Sequence, residues 1–134
     1  MKLQVDWDNP EKTIIRITYT EKWTWNDFYA ANMEAVAMMK TVPQTVHFLA
    51  DFRQSRSLPL GGAITHARAA LTGLPDNWGI LVIVSTSVLI QRLVTIFRTA
   101  FTTKLGTKTY SVTSIDEAYR LIAQHNGDSD SPVS

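Results

Sequence analysis

Residues 45–52 read Thr-Val-His-Phe-Leu-Ala-Asp-Phe (TVHFLADF). The run is nearly continuously apolar rather than alternating, which is the pattern of a strand covered on both faces inside a parallel sheet. Gly79–Ser85 (GILVIVS) repeats it further along the chain. Parallel neighbours need a crossover between them, usually a helix. Ala63–Leu74 supplies one, with Ile64, Ala67, Leu71 and Leu74 predicted inward.

The same alternation extends outward in both directions. Upstream, Leu3–Trp7 alternates apolar and polar residues, Asp8-Asn9-Pro10-Glu11 is a turn, and Thr13–Thr20 (TIIRITYT) is β-branched and alternating. The pair predicts a hairpin with Ile15, Ile17 and Tyr19 on one face and Ile14, Arg16 and Thr18 on the other. Thr24 caps a helix running to about Met39, with Asp27 in its first turn and Trp23 and Phe28 spaced as a hydrophobic staple. Phe28, Ala31, Ala35 and Met39 form its inward stripe. Asn32 falls inside that stripe, so its amide is expected to bond a neighbouring loop backbone, with a ligand contact as the alternative. Val42-Pro43 ends the helix.

Downstream, Ser87 caps a third helix predicted to run to about Lys104 and stop at Leu105-Gly106. Tyr110–Val112 is a short last strand. Ser114-x-x-Glu117 is a capping box opening a final helix that ends near His125-Asn126-Gly127. The order β-β-α-β-α-β-α-β-α predicts one α/β domain over residues 1–125, a mostly parallel sheet with an N-terminal hairpin. Residues 126–134 read as a disordered polar tail.

A chain of 134 residues, 45% hydrophobic and 19% charged, fits a single globular domain with a real core. It has no cysteine, which excludes disulfides, thiolate zinc sites and Cys nucleophiles. Met1–Trp7 holds no apolar stretch long enough for a signal peptide, and no run approaches the ~20 apolar residues of a membrane span. The expectation is a soluble cytoplasmic protein. Net charge is +1, but residues 53–108 carry seven basic residues against Asp76 alone, while the flanking segments are net acidic. That imbalance favours an anionic partner over the middle third, and no motif points to nucleic acid.

No catalytic constellation is assembled in the sequence. His47, His66 and His125 lack metal-ligand spacing. A Ser55–His66–Asp51 triple can be composed, but no nucleophile elbow supports it. No metal, cofactor or catalytic residue is expected. Two binding features stand out instead. Gly61-Gly62 opens the second helix in a loop flanked in sequence by Arg53, Ser55, Arg56, Ser57 and, on the helix side, Arg68, a combination able to hold an anion or an acidic partner group. The third helix carries an apolar arc of about 160° where about 100° suffices for core contact. Its Ile90, Val94, Phe97 and Phe101 therefore predict a homodimer face or an apolar, lipid-like ligand face, unless another element covers them. Trp7, Trp23, Trp25 and Trp78 read as core and staple residues first and interface anchors second.

The segments IIRITYT, TWNDFYAA, VHFLADF, GILVIVS, LIQRLVTIF and YSVTSIDEAYRLI, taken in order, resemble a SpoIIAA-like, or STAS-type, domain over roughly Leu3–His125. The likeness rests on element order, the Asp51-Phe52 strand ending and the terminal Thr113-Ser114-x-x-Glu117-Ala118 helix. It implies a regulatory domain acting through protein–protein contact, as anti-sigma-factor antagonists do. Members of that group switch on phosphorylation of a serine at the start of the second helix. Here the region reads SRSLPLGGAITH, with Gly61 and Gly62 at that place, Ser57 upstream as the candidate phosphosite and Thr65 one turn inside. The departure resembles a divergent branch grouped with lipid-binding SEC14-like domains.

Overall fold

The computed structural model describes residues 3–55, 58–59, 61–102 and 104–130. Its elements in chain order are β1 (Gln4–Trp7), β2 (Ile14–Thr18), α1 (Trp25–Met39), β3 (Val46–Asp51), α2 (Ala63–Thr72), β4 (Trp78–Val84), α3 (Val88–Ala100), α4 (Lys104–Thr107), β5 (Thr109–Val112) and α5 (Ile115–Asp130). The strands form one sheet in the order β1-β2-β3-β4-β5, antiparallel between β1 and β2 and parallel thereafter.

Each strand lies beside its predecessor, and right-handed crossovers that progress in one direction place their helices on one face. Accordingly α1, α2 and α3 share a cluster with Ile15, Ile17, Phe48 and Ala50. On the opposite face α5 contributes Ala118 and Ile122 to a cluster with Leu49, Ile80, Val82 and Val84. The hairpin register pairs Gln4 with Thr18 and Trp7 with Ile15. Its turn is held by Asn9, whose Oδ1 accepts from the amides of Thr13 at 3.0 Å and Ile14 at 3.2 Å.

Helix starts follow the local chemistry. The Asp27 amide donates to Thr24 Oγ1 at 3.1 Å and the Thr24 amide donates to Asp27 Oδ2 at 2.9 Å, a complete capping box. Ser87 caps α3 and Ser114 caps α5. By contrast α2 begins at Gly62 with no side-chain cap, and Gly61 and Gly62 are both left-handed, with φ of 72° and 76°. Only glycine adopts that conformation without strain.

Two boundaries differ from the expected ones. α3 ends at Ala100 rather than near Lys104, because Phe101 leaves the helical region with ψ of 78°, and the short α4 follows. Gly106 permits that reversal: a Cβ there would overlap the Phe101 carbonyl oxygen. α5 runs through Gly127 to Asp130, past the predicted stop at residues 125–127 and into the stretch read as a disordered tail. The glycine costs about 1 kcal/mol in a helix, but Asn126 is tied to His47 on β3 at 2.7 Å and anchors the last turns. Among the described residues no helix is long and apolar enough to cross a membrane.

Candidate functional site

β4 is a central strand, yet its two faces are not equally sealed. Ile80, Val82 and Val84, turned toward the single helix α5, are 0% exposed. Leu81 and Ile83, turned toward three helices, are only half-buried. The reason lies in α2. Its sheet-facing residues are mostly small, and Ala63, Ala67 and Ala70 leave space that larger side chains would fill. The result is a cavity of about 130 Å³ between the sheet and α1, α2 and α3.

Ile17, Phe48 and Ala50 form its floor with Leu81 and Ile83. Phe28 and Asn32 of α1, Ile64 and Leu71 of α2, and Ile90, Val94 and Phe97 of α3 form the walls. Trp23, Trp25, Tyr19 and Phe52 close the end near the carboxyl termini of the strands, with Leu58 of the loop above them. Tyr19 stacks on Phe52 at 4.0 Å between ring centroids and meets Trp23 edge-on at 4.9 Å. Among the described residues no lining side chain carries a charge.

The indole donors near this end are satisfied: Trp23 Nε1 donates to Ser55 Oγ at 2.9 Å and Trp25 Nε1 to the Gly61 carbonyl at 3.1 Å. Trp25 also stacks on His66 at 4.4 Å, and the Tyr29 hydroxyl lies 2.7 Å from His66 Nδ1.

The third-helix residues Ile90, Val94 and Phe97 are thus buried inside the chain, at 7%, 5% and 3% exposure. This corrects the expectation that they offer a face to a second copy. All three line the apolar cavity. Phe101 packs on Phe97 at 4.8 Å beneath the Arg68 guanidinium, 5.7 Å from its ring. The surplus of the broad arc emerges at its other edge, where Leu89 and Ile96 are exposed together with Val88.

The expected anion loop is not drawn together. Gly61 and Gly62 do open α2 and are exposed at the carboxyl ends of the strands. Arg53, however, is turned onto Asp51, donating from Nε at 2.9 Å and Nη2 at 2.8 Å. Arg68 reaches over Phe101, about 9 Å along the helix from Gly62 at 1.5 Å per residue. Arg56 and Ser57 lie outside the described residues.

The Ser55–His66–Asp51 triple is likewise separated. Asp51 shares the α5 face of the sheet with Leu49, whereas His66 lies on α2 across the sheet. Asp51 is 3% exposed and belongs to a network that sequence reading missed, with Arg53, Arg16, Asp8 and Tyr119. Burial alone would raise its carboxyl. The hydrogen bonds from Arg53, with the charges of Arg53 and Arg16, outweigh that and hold it below the usual carboxylate range. Alternation showed which face Arg16 occupies, but not that Tyr119 of α5 would meet it. Among the described residues no three His, Asp or Glu side chains come together as a metal ligand set.

Comparison with family models, curated proteins and solved structures finds no match to this chain.

Proposed function

We propose that this chain is a non-catalytic binding domain that takes a small apolar ligand in the cavity between the sheet and helices α1, α2 and α3. The observation that carries the reading is the half-burial of Leu81 and Ile83 beneath three helices, beside a cavity of about 130 Å³ in which no described lining residue bears a charge. A dry apolar cavity of about 150 Å³ accommodates a benzene-sized molecule, so the ligand is of that order, well short of a long acyl chain. The test is thermal unfolding with and without toluene or indole. A ligand of the native state at ten times its Kd adds about 1.4 kcal/mol, which raises Tm by roughly 5 °C in a domain of this size. Unchanged melting at saturating concentrations of both probes would sink the reading.

A second reading, regulatory contact with a protein partner or a second copy of the chain, is what the resemblance to STAS-type domains implies. A separate observation favours it: Val88, Leu89 and Ile96 are exposed at 61%, 58% and 53% along the outer edge of α3, and clustered exposed apolar side chains mark interaction surfaces. Light scattering over a concentration series tests self-association through that edge. A monomer at every concentration would leave only a heterologous partner.

A further inference from the structure

The two edges of the sheet are not equivalent. Alternate residues of a strand turn their backbone groups to one neighbour. At β5 the Leu81 amide donates to the Lys108 carbonyl and the Ser85 amide to the Val112 carbonyl, so Thr109, Ser111 and Thr113 face outward. Arg98 of α3 donates to the Thr109 carbonyl, and the Thr113 amide donates to Glu117 Oε1, which leaves little of that edge open. At the far side of the sheet the Asp8 amide donates to the Ile14 carbonyl at 2.8 Å, with Asp6 opposite Arg16 and Gln4 opposite Thr18. The odd residues of β2 serve β3, through bonds from His47 to Thr13 and from Tyr19 to Asp51. Val5 and Trp7 of β1 therefore turn their N–H and C=O groups away from the sheet, and no hydrogen bond from a described residue reaches them. Open edge groups of this kind are a template for another strand, and Leu3–Trp7 carries neither the proline nor the lysine that commonly blocks one.

We propose that the outer edge of β1 accepts a strand from a partner protein, an extended segment that alternates apolar and basic side chains. The alternation follows from the pleat. On one face Val5 and Trp7 pack against the core beneath α1, so the partner's side chains beside them are apolar. On the other face Gln4 and Asp6 are exposed, and the Asp6 carboxylate favours a cation across from it. Residues 1–52 as a whole carry seven acidic side chains against five basic ones, which draws a partner of the same sign. A second copy of β1 offers the alternation with the wrong charge, an acid where a base is complementary. Main-chain hydrogen bonds supply the affinity of such a contact, and the alternating side chains select the partner. No described residue of β1 lines the cavity, so the edge and the pocket are separate sites.

Fluorescence anisotropy of the full chain with the labelled peptide KVKVKVK, its glutamate counterpart EVEVEVE and a fully N-methylated KVKVKVK tests this. KVKVKVK should bind and EVEVEVE should not. The methylated peptide keeps the charges but loses the N–H donors, and should bind at least about tenfold more weakly. Hydrogen exchange read by NMR should show the Val5 and Trp7 amides exchanging freely in the chain alone and protected by KVKVKVK. Val5→Pro removes an outward donor that β2 does not use, a change that edge strands tolerate, and should weaken binding about tenfold. Asp6→Lys alters an exposed side chain and should reverse the preference, so that EVEVEVE binds more tightly than KVKVKVK. A melting curve for each variant confirms folding. Absence of KVKVKVK binding up to millimolar peptide, equal binding of the methylated peptide, protection confined to other elements, or an unchanged preference in Asp6→Lys would each overturn the proposal. A dimer of the chain that Val5→Pro dissociates would overturn it too, by assigning the edge to a second copy.

Discussion

Ile80 donates its backbone N–H to Nδ1 of His47 at 3.0 Å, deep in the sheet. An acceptor at Nδ1 leaves the ring proton on Nε2, which donates to Asn126 Oδ1 at 2.7 Å. One buried imidazole, 1% exposed, therefore joins β3, β4 and the last turns of α5 in a single tautomer. It also occupies the irregularity in the β3–β4 register between Val46 and Phe48.

This arrangement makes the fold sensitive to acid. Burial chiefly, aided by the nearby His125 and Lys108 charges and opposed by the Asn126 bond, lowers the His47 pKa below its ordinary value. The unfolded chain then binds the proton more readily, so stability is complete above about pH 6.5 and is lost as pH falls toward the folded value. Urea unfolding at pH 7.5, 6.5 and 5.5 should show a steeper loss for the unaltered chain than for His47→Gln. Parallel losses would contradict the assignment.

Gly79 is the partner that makes room for this ring. A Cβ at Gly79 would overlap His47 Nδ1 and Cε1 and approach Thr45 Cγ2 to 2.9 Å. Gly79→Ala should destabilise by about 2–4 kcal/mol, an overpacking effect at a rigid site. Adding His47→Ala frees the space, so the double variant should lose less than the sum of the singles. Additive losses in denaturant titrations would show that the contact is not the cause.

Filling the cavity should trade binding for stability. Ala67→Leu places a strong helix former against Ile64 and Leu71 and occupies part of the void. A gain of about 1 kcal/mol, or roughly 4 °C in Tm, is expected, with loss of any stabilisation by toluene. A destabilised variant that still responds to toluene would mean that the space lies elsewhere.

Asp51→Asn should cost about 1–3 kcal/mol at neutral pH, because a buried carboxylate loses its charge opposite Arg53 and Arg16. The loss stays modest because the Arg53 side chain is 49% exposed and screened. Asp51 has a lowered pKa, so its contribution is present above about pH 4 and fades as pH falls through the folded value. The stability gap between the two proteins should therefore close in acid. A gap that persists there would remove charge as its origin.

The outer edge of α3 should be energetically silent within the chain. Leu89→Glu/Ile96→Glu is expected to change stability by no more than about 0.5 kcal/mol and, where that edge is an interface, to convert an associated species to monomer. Substantial destabilisation would show that these side chains support the core.

Much of this architecture was legible residue by residue. The Thr24–Asp27 box, the Trp23–Phe28 staple and the two faces of Ile14–Tyr19 depend on spacings of a few residues, and local chemistry decides them. The width of the α3 arc was equally visible, but which edge turns inward is set by how the helix lies on the sheet. Ile90, expected on an outer face, therefore turns inward, and Leu89 is left exposed. The α3–α4 break depends on Gly106 meeting Phe101, and the extension of α5 on Asn126 meeting His47, contacts that no local pattern encodes. The cavity was least visible of all. It is a difference between the volumes of three helices and one sheet, and Ala67 alone does not announce it.

The uncapped start of α2 has a consequence for the shape of that space. α1 is locked at its first turn by Thr24 and Asp27, and α3 by Ser87. α2 leans on two left-handed glycines with neither a side-chain cap nor an acidic first turn. Its amide protons should exchange with deuterium ahead of those in α1 and α3, so of the three walls it is the one freest to adjust its first turn to whatever the space holds.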